Sequence, residues 1–262
     1  MSNTTPQADP NKIQETEPTK MQAIMEHLRA LRNVIFISAV AILVGFVVMF
    51  YLAIDVLMAW ITTPIVARGI EIIYTAMSEA LMVKFKVALV AGIIVASPVV
   101  IWQLWTFISP ALYKHEKKMF ISLFFASLVL FLIGIVFCYG AVYLLAVDFF
   151  IVAGENLATP MLSIDKYVGF MFGFIVPFGV AFMLPVFIFV TTKMGWTNYE
   201  MLASKRKFVI LGIAVFAAFL TPPDVVSQVM LGVPMVVLYE VGAQIARFVK
   251  PKEKSEYDDF EE

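Results

Sequence analysis

Long stretches without a single charged side chain dominate this chain. No Asp, Glu, Lys, Arg or His occurs from Met119 to Val147, and the run from Tyr167 to Thr192 is equally uncharged. About 20 apolar residues in a helix are enough to cross the hydrocarbon core of a bilayer. The chain also has a mean hydropathy of +0.89 and only 15% charged residues, far from the composition of soluble domains. These runs predict an all-α integral membrane protein and exclude a water-soluble enzyme.

The apolar runs predict six membrane segments, of which the fifth and sixth are short. The segments are Asn33–Ile54, Val87–Ile108, Met119–Val147, Tyr167–Thr192, Phe208–Leu220 and Val225–Ala243. The fifth reaches only about 20 Å as a helix, whereas the hydrocarbon core is about 30 Å thick. Either the bilayer thins around it, or the fifth and sixth segments form a re-entrant hairpin. Both alternatives return the chain to the same side of the membrane.

The distribution of basic residues predicts the orientation of these segments. Of the 19 Lys and Arg residues, 15 fall on the side that holds both termini and four on the other. Because cytoplasmic loops carry the excess of Lys and Arg, both termini are expected in the cytoplasm. Residues 1–20 are expected to be a disordered cytoplasmic segment, 21–248 a single membrane domain and 249–262 an acidic, mobile tail. A formal net charge of −1 provides no basic field for nucleic acid.

The middles of the predicted spans contain no ionisable residue. Carriers that couple transport to protons or ions usually place such a residue near the centre of the membrane. A small-solute transporter or channel is therefore the alternative reading and not the favoured one. An intramembrane enzyme is disfavoured because neither HExxH nor GxSxG occurs. With only His27 and His115 in the chain, no metal site and no cofactor are expected.

Several polar features near the span ends have two readings each. Met21–Arg32 reads as an interfacial helix with an apolar face, or as part of a docking surface. Glu116, in the connection between the second and third segments, either balances nearby lysines or accepts a guanidinium. Gln228 favours a helix–helix hydrogen bond, and Asp224 favours helix capping. The loop Asp55–Lys86 is expected to form an interfacial cap, since it contains Trp60, Pro64 and Tyr74.

Four strings, taken in order, resemble the TatC family, the polytopic subunit of the twin-arginine protein translocase. They are Glu26–Arg32, Ser97–Glu116, Phe178–Pro185 and Thr221–Glu240. The resemblance implies a concave, glove-like wall of six helices in the cytoplasmic membrane of a prokaryote. It also implies a signal-peptide receptor that exports folded proteins, without covalent chemistry, by means of the proton-motive force. The implied partners are twin-arginine signal peptides and single-span TatA-type and possibly TatB-type subunits, gathered in an oligomeric complex.

The resemblance also implies roles for individual residues. The residues expected to bind the signal peptide are Glu116, Glu26, Arg32, Tyr113 and His115. Those expected to contact a partner helix are Met183, Pro185, Gln228 and Glu240. A role in the external loop or in the structure is expected of Pro64, Asp224 and Pro222.

The sequence departs from the family pattern at two positions. Ala30 stands where members commonly have a Glu, two residues before the arginine that Arg32 matches. Glu26 lies one turn earlier on nearly the same helical face, and we expect it to form the acidic pair with Glu116. Met183 stands where members commonly have Glu or Gln, so any partner contact there is expected to be apolar or shifted.

Overall fold

The computed structural model describes residues 20–108, 117–154, 161–220 and 224–249. Ten α-helices lie in these ranges: α1 Lys20–Leu52, α2 Ile54–Val66, α3 Glu79–Ile108, α4 Lys117–Phe137, α5 Leu144–Gly154, α6 Ile164–Phe182, α7 Leu184–Lys193, α8 Tyr199–Ser204, α9 Arg206–Leu220 and α10 Val225–Phe248. A π-helical turn, Cys138–Tyr143, joins α4 to α5. Two three-residue strands, β1 Glu71–Ile73 and β2 Met161–Ser163, pair in parallel.

Among the described residues, five helical stretches are long and apolar enough to cross a membrane. They are Leu28–Leu52, Glu79–Ile108, Lys118–Gly154, Ile164–Lys193 and Val225–Phe248. Helix α9, with 15 residues, is about 22 Å long and falls short of a full span, in line with the length expected from the sequence. The expectation of a short sixth segment is wrong, because α10 continues past Ala243 to Phe248 and its 24 residues are enough to cross a membrane. Many large apolar side chains on these helices are exposed, as befits surfaces that meet lipid. The predicted helical membrane fold is confirmed.

Helix α1 runs without interruption from Lys20 into the first span. Residues 21–32 therefore do not form a separate helix, although their pattern predicts an interfacial one. Helix α1 packs antiparallel on α3, and the two backbones meet at Gly45 and Gly92. A Cβ atom on Gly45 would lie 2.6 Å from the carbonyl oxygen of Gly92, so this crossing excludes any side chain.

The predicted external loop Asp55–Lys86 contains regular structure. Helix α2 occupies its first part and buries Ile54, Ile61 and Ile65. Strand β1 follows and pairs with β2, so that Glu71 lies opposite Met161. Helix α3 already begins at Glu79, eight residues before the predicted start at Val87. The segment is therefore structured and not a free coil, its position at a membrane interface stays a prediction, and the two strands were not predicted.

The predicted fourth span is divided between α6 and α7. Helix α6 ends at Phe182, Met183 interrupts the helical hydrogen bonding while keeping helical dihedral angles, and Pro185 stands in the first turn of α7. Proline has no N–H to donate, and its ring clashes with the carbonyl four residues earlier, which explains the break. Of the five stretches, α6–α7 is the most deeply buried in the bundle. Half of the residues in its most apolar part are buried, against 6% for the stretch in α1. Its central side chains, Phe174 and Phe178, are fully buried.

Candidate functional site

Two of the residues predicted to bind a signal peptide, Arg32 and Glu26, belong to α1 near the end of the bundle at which this helix begins, called the N-terminal end below. Arg32 lies on α1 with an exposed side chain. Glu26 belongs to the same helix, but its side chain lies outside the described residues. Tyr113, His115 and Glu116 also fall outside them, in the segment between Ile108 at the end of α3 and Lys117 at the start of α4.

The packing of α1 on α3 fixes the relative heights of these segments. Gly45 meets Gly92, and the ring of Phe50 stacks on that of Phe85 with centroids 5.1 Å apart. One step forward along α1 therefore corresponds to one step backward along α3. Because all residues of an α-helix rise by the same 1.5 Å, this register places the Glu26 backbone about one helical turn beyond the level of Ile108, the last residue of α3.

The predicted partner-helix residues Met183 and Pro185 are embedded in the bundle. Met183 is half-buried and packs against an apolar cluster that includes Ile101 and Trp105. Pro185 is buried, and its Cα would lie 3.3 Å from a Cβ on Gly242 of α10. The break between α6 and α7 is thus the place where α10 approaches the fourth span most closely.

Gln228 and Asp224 occupy the first turn of α10, at the end opposite to the N-terminal end. The side-chain amide of Gln228 donates to the carbonyl of Ala214 on α9 at 2.9 Å, which confirms the predicted helix–helix hydrogen bond. One carboxylate oxygen of Asp224 accepts from the N–H of Ser227 at 2.7 Å and caps α10 as predicted. The other oxygen, and the hydroxyl of Ser227, are buried without a partner among the described residues. Pro222 lies outside those residues.

Glu240 lies near the other end of α10, where α8 and α9 meet it. Its carboxylate pairs with Arg206, the first residue of α9, at 3.0 Å. The hydroxyl of the adjacent Tyr239 donates to the carbonyl of Leu202 in α8 at 2.8 Å. Twelve residues of helix separate Gln228 from Glu240, or about 18 Å. The four predicted partner residues therefore do not form one cluster.

A buried carboxylate that sequence reasoning missed organises the opposite end. Glu79 is 8% exposed. One of its oxygens accepts from the N–H and hydroxyl of Thr75 and from the N–H of Ala76. The other accepts from the hydroxyl of Ser163 and the N–H of Asp165. Glu79 thereby links the loop after β1 to the start of α6. The only sequence signal was an acid in the first turn of a long apolar helix, a favourable position for a negative charge.

Three ion pairs at the same end of the bundle as Glu79 join separate elements. Arg68, after α2, donates from Nε to Asp148 of α5 at 2.7 Å. Its Nη1 donates to the carbonyl of Pro64. The hydrogen bond to Asp148 raises the pKa of the Arg68 guanidinium above its ordinary value. The other two pairs are Lys84 with Asp55 and Lys86 with Asp165. Pro64, which was predicted to have a role in the external loop, lies inside α2, and its carbonyl accepts the hydrogen bond from Arg68.

Fold and site together define a polytopic helical membrane protein whose charged groups lie at its two ends. The family described as "Sec-independent protein translocase protein (TatC)" matches residues 26–234 of the chain. That match covers well over half of the sequence. The chain belongs to the TatC family and is a component of a protein translocase.

Relatives and solved structures agree with this assignment. The TatC protein of Carboxydothermus hydrogenoformans is 38% identical over 90% of this chain and 97% of its own length. The TatC protein of Escherichia coli K12 is 33% identical over 90% of each chain. A crystal structure titled as the twin arginine translocase receptor TatC is 39% identical, with a TM-score of 0.76 over 84% of this chain and 97% of that one. A second TatC structure, in DDM, gives a TM-score of 0.79 at 38% identity over 85% of this chain and all of that one. These matches support the translocase reading over a small-solute transporter.

Proposed function

We propose that this chain is the signal-peptide receptor and core subunit of a twin-arginine translocase. It recognises the paired arginines of a folded precursor at the N-terminal end of the bundle. It then works with single-span subunits to export that precursor, driven by the proton-motive force and without covalent chemistry. The register between α1 and α3 supports the proposal, because it puts the backbone of Glu26 within about one helical turn of the level of Ile108, the last described residue before the segment that contains Glu116.

The chemistry of the ligand explains why two carboxylates are needed at this place. A guanidinium presents its N–H groups in a planar fork that a carboxylate binds through two parallel hydrogen bonds. An ammonium cannot reproduce this geometry, so such a site discriminates arginine from lysine. Glu26 replaces the acid that is absent at Ala30, and Glu116 supplies the second. Tyr113, His115 and Arg32 lie beside them in the sequence and shape the surface that receives the peptide backbone.

We propose that a single-span, TatA-type helix docks along α10 and the α6–α7 break. Met183 presents a thioether there, so the contact at this level is apolar. Glu240, paired with Arg206, lies within one turn of Gly242, the α10 residue nearest Pro185. Gln228, which already bonds to Ala214, lies about three turns further toward the start of α10. A crosslinking scan that places the partner helix far from Met183 would contradict this arrangement.

We further propose that the protein lies in the cytoplasmic membrane of a prokaryote with both termini inside. The support is the 15-to-4 distribution of Lys and Arg between the two sides. In this orientation α2, β1 and β2 form an external cap, and Glu79 fastens that cap to α6. The short helix α9 returns the chain to the outer surface across a thinned bilayer.

Co-purification with a precursor protein tests the receptor function. The chain is expected to retain a precursor that carries an arginine pair and to release the same precursor with a lysine pair. Equal retention of both would contradict the proposal. Reconstituted alone in liposomes, the chain is expected to conduct no small solute, since a receptor needs no permeation path. Solute flux would favour the transporter alternative.

A further inference from the structure

The short helix α8 and its flanking residues, 193–207, form an elbow at the N-terminal end of the bundle, called the α8 elbow. Two contacts fix it to α10. The hydroxyl of Tyr239 donates to the carbonyl of Leu202 at 2.8 Å. The guanidinium of Arg247 lies over the ring of Tyr199, 5.8 Å from its centroid. The elbow is therefore a built part of the bundle and not a loose connection.

Four cations belong to this elbow and to the last turn of α10. Lys193 ends α7, Lys205 and Lys207 flank the start of α9, and Arg247 lies near the end of α10. Gly242 of α10 packs against Ile188 of α7, and both helices continue from that contact toward the elbow. Lys193 and Arg247 each lie five residues further on, about 7 Å along their helices, and so reach the same level.

These four cations have no counter-charge among the described residues. No carboxylate there lies within ion-pair distance of any of them, whereas Arg206 between the two lysines is paired with Glu240. The elbow itself contains one acid, Glu200, which is exposed on α8. Among the described residues, the elbow therefore carries a local excess of positive charge.

An exposed apolar surface begins directly beside the cations. A tight turn at Gly195, with φ of +76°, and a hydrogen bond from the N–H of Trp196 to the carbonyl of Thr191 hold Trp196 in place. Its indole is 63% exposed. On α9, the exposed side chains of Phe208, Leu211 and Val215 continue away from Lys207 along one side of the helix. Tryptophan and lysine side by side at the end of a membrane helix are typical of the headgroup level.

From this arrangement we infer that the α8 elbow binds an anionic phospholipid. The phosphate lies among Lys193, Lys205, Lys207 and Arg247, and an acyl chain covers the apolar side of α9. A phospholipid is favoured over an acidic protein segment because one lipid molecule can place its phosphate against the cations and its acyl chains against the adjoining apolar side. This site lies on the side of the bundle formed by α7–α10 and plays no part in the proposed recognition of arginines, so either proposal can fail alone.

Thermal unfolding of the purified full-length protein in detergent tests this inference. Dioleoylphosphatidylglycerol is added in increasing amounts, with dioleoylphosphatidylcholine as the uncharged-headgroup comparison. We expect phosphatidylglycerol to raise the unfolding midpoint and phosphatidylcholine to leave it nearly unchanged. The K205Q/K207Q variant is expected to lose at least half of the rise. Both lysines are exposed and unpaired among the described residues, so the variant should unfold at the wild-type midpoint without lipid.

The R29Q/K166Q variant is the matched control. It also removes two exposed cations without a described partner, but from α1 and α6, and should keep the full rise. An equal rise in K205Q/K207Q and wild type, an equal rise with phosphatidylcholine, or no rise at all would overturn the inference. Glycerol phosphate or hexaglutamate that alone reproduced the full rise would overturn it too, in favour of a free phosphate or an acidic protein segment.

Discussion

At the scale of single residues, a buried carboxylate stabilises a fold only where hydrogen-bond donors surround it. Glu79 meets this condition, because both of its oxygens accept from backbone and hydroxyl groups of two separate segments. Unpaired, a carboxylate with so little exposure would cost several kcal/mol. With its donors in place it joins the loop after β1 to the start of α6, in addition to the apolar core that Ile61 and Ile65 of α2 share with Val168 of α6.

Substitution Glu79→Gln should therefore destabilise the protein. The variant keeps the shape of the side chain but loses its charge, and one oxygen becomes an N–H donor that faces other donors. Since hydrogen bonds to charged groups contribute about 1.5–3 kcal/mol, we expect a loss of that size in the free energy of unfolding, measured in detergent. Glu71→Gln is the control, because Glu71 is exposed on β1. Equal effects of both substitutions would refute the role given to Glu79.

At the scale of elements, the contact between α1 and α3 depends on two glycines whose backbones touch. Substitution Gly45→Ala places a methyl group 2.6 Å from the carbonyl oxygen of Gly92, so the helices must separate. Overpacking of this kind costs about 1–3 kcal/mol. Unfolding of the purified variant should show that loss.

Gly212→Ala serves as the control for this crossing. Gly212 lies in α9 with no atom within 4 Å of a Cβ built on it, and alanine is about 1 kcal/mol more favourable than glycine in a helix. The control should be neutral or slightly stabilising. If Gly45→Ala behaved in the same way, the close approach of α1 and α3 would not be a determinant of the fold.

Helix existence followed from the sequence, whereas several boundaries and pairings did not. The uncharged runs predicted the spans because lipid accepts only helices with few charges. The break at Met183 could have been predicted from Pro185, yet Pro98 and Pro234 remain inside unbroken helices. The pairing of β1 with β2 joins segments far apart in the chain and leaves no local pattern.

Part of the candidate site could also be predicted from the sequence, and part could not. Asp224 and Gln228 were predictable from local chemistry, since a cap and an interhelical hydrogen bond need only neighbouring elements. Glu79 was missed because its donors come from Thr75 and Ser163, which only the folded chain brings together. The pairing of Glu26 with Glu116 was inferred from the family resemblance and remains a prediction.

At the scale of the whole molecule, the orientation can be measured with single cysteines. The chain has one native thiol, Cys138, which is fully buried. The C138A substitution removes this thiol and leaves the surface of the protein unaltered. In intact cells a membrane-impermeant maleimide should label K166C, at the start of α6, and leave K205C unlabelled until the cells are opened. The reverse pattern would contradict the proposed topology.

The binding of a twin-arginine signal peptide measures the central claim most directly. The affinity of the purified protein for this peptide is compared with its affinity for the twin-lysine version, in wild type and in the E26Q/E116Q variant. Loss of two charge-assisted contacts should weaken arginine-peptide binding by at least about 100-fold, at tenfold for each 1.4 kcal/mol, and remove the preference for arginine over lysine. Unchanged affinity and unchanged preference in the variant would contradict the account.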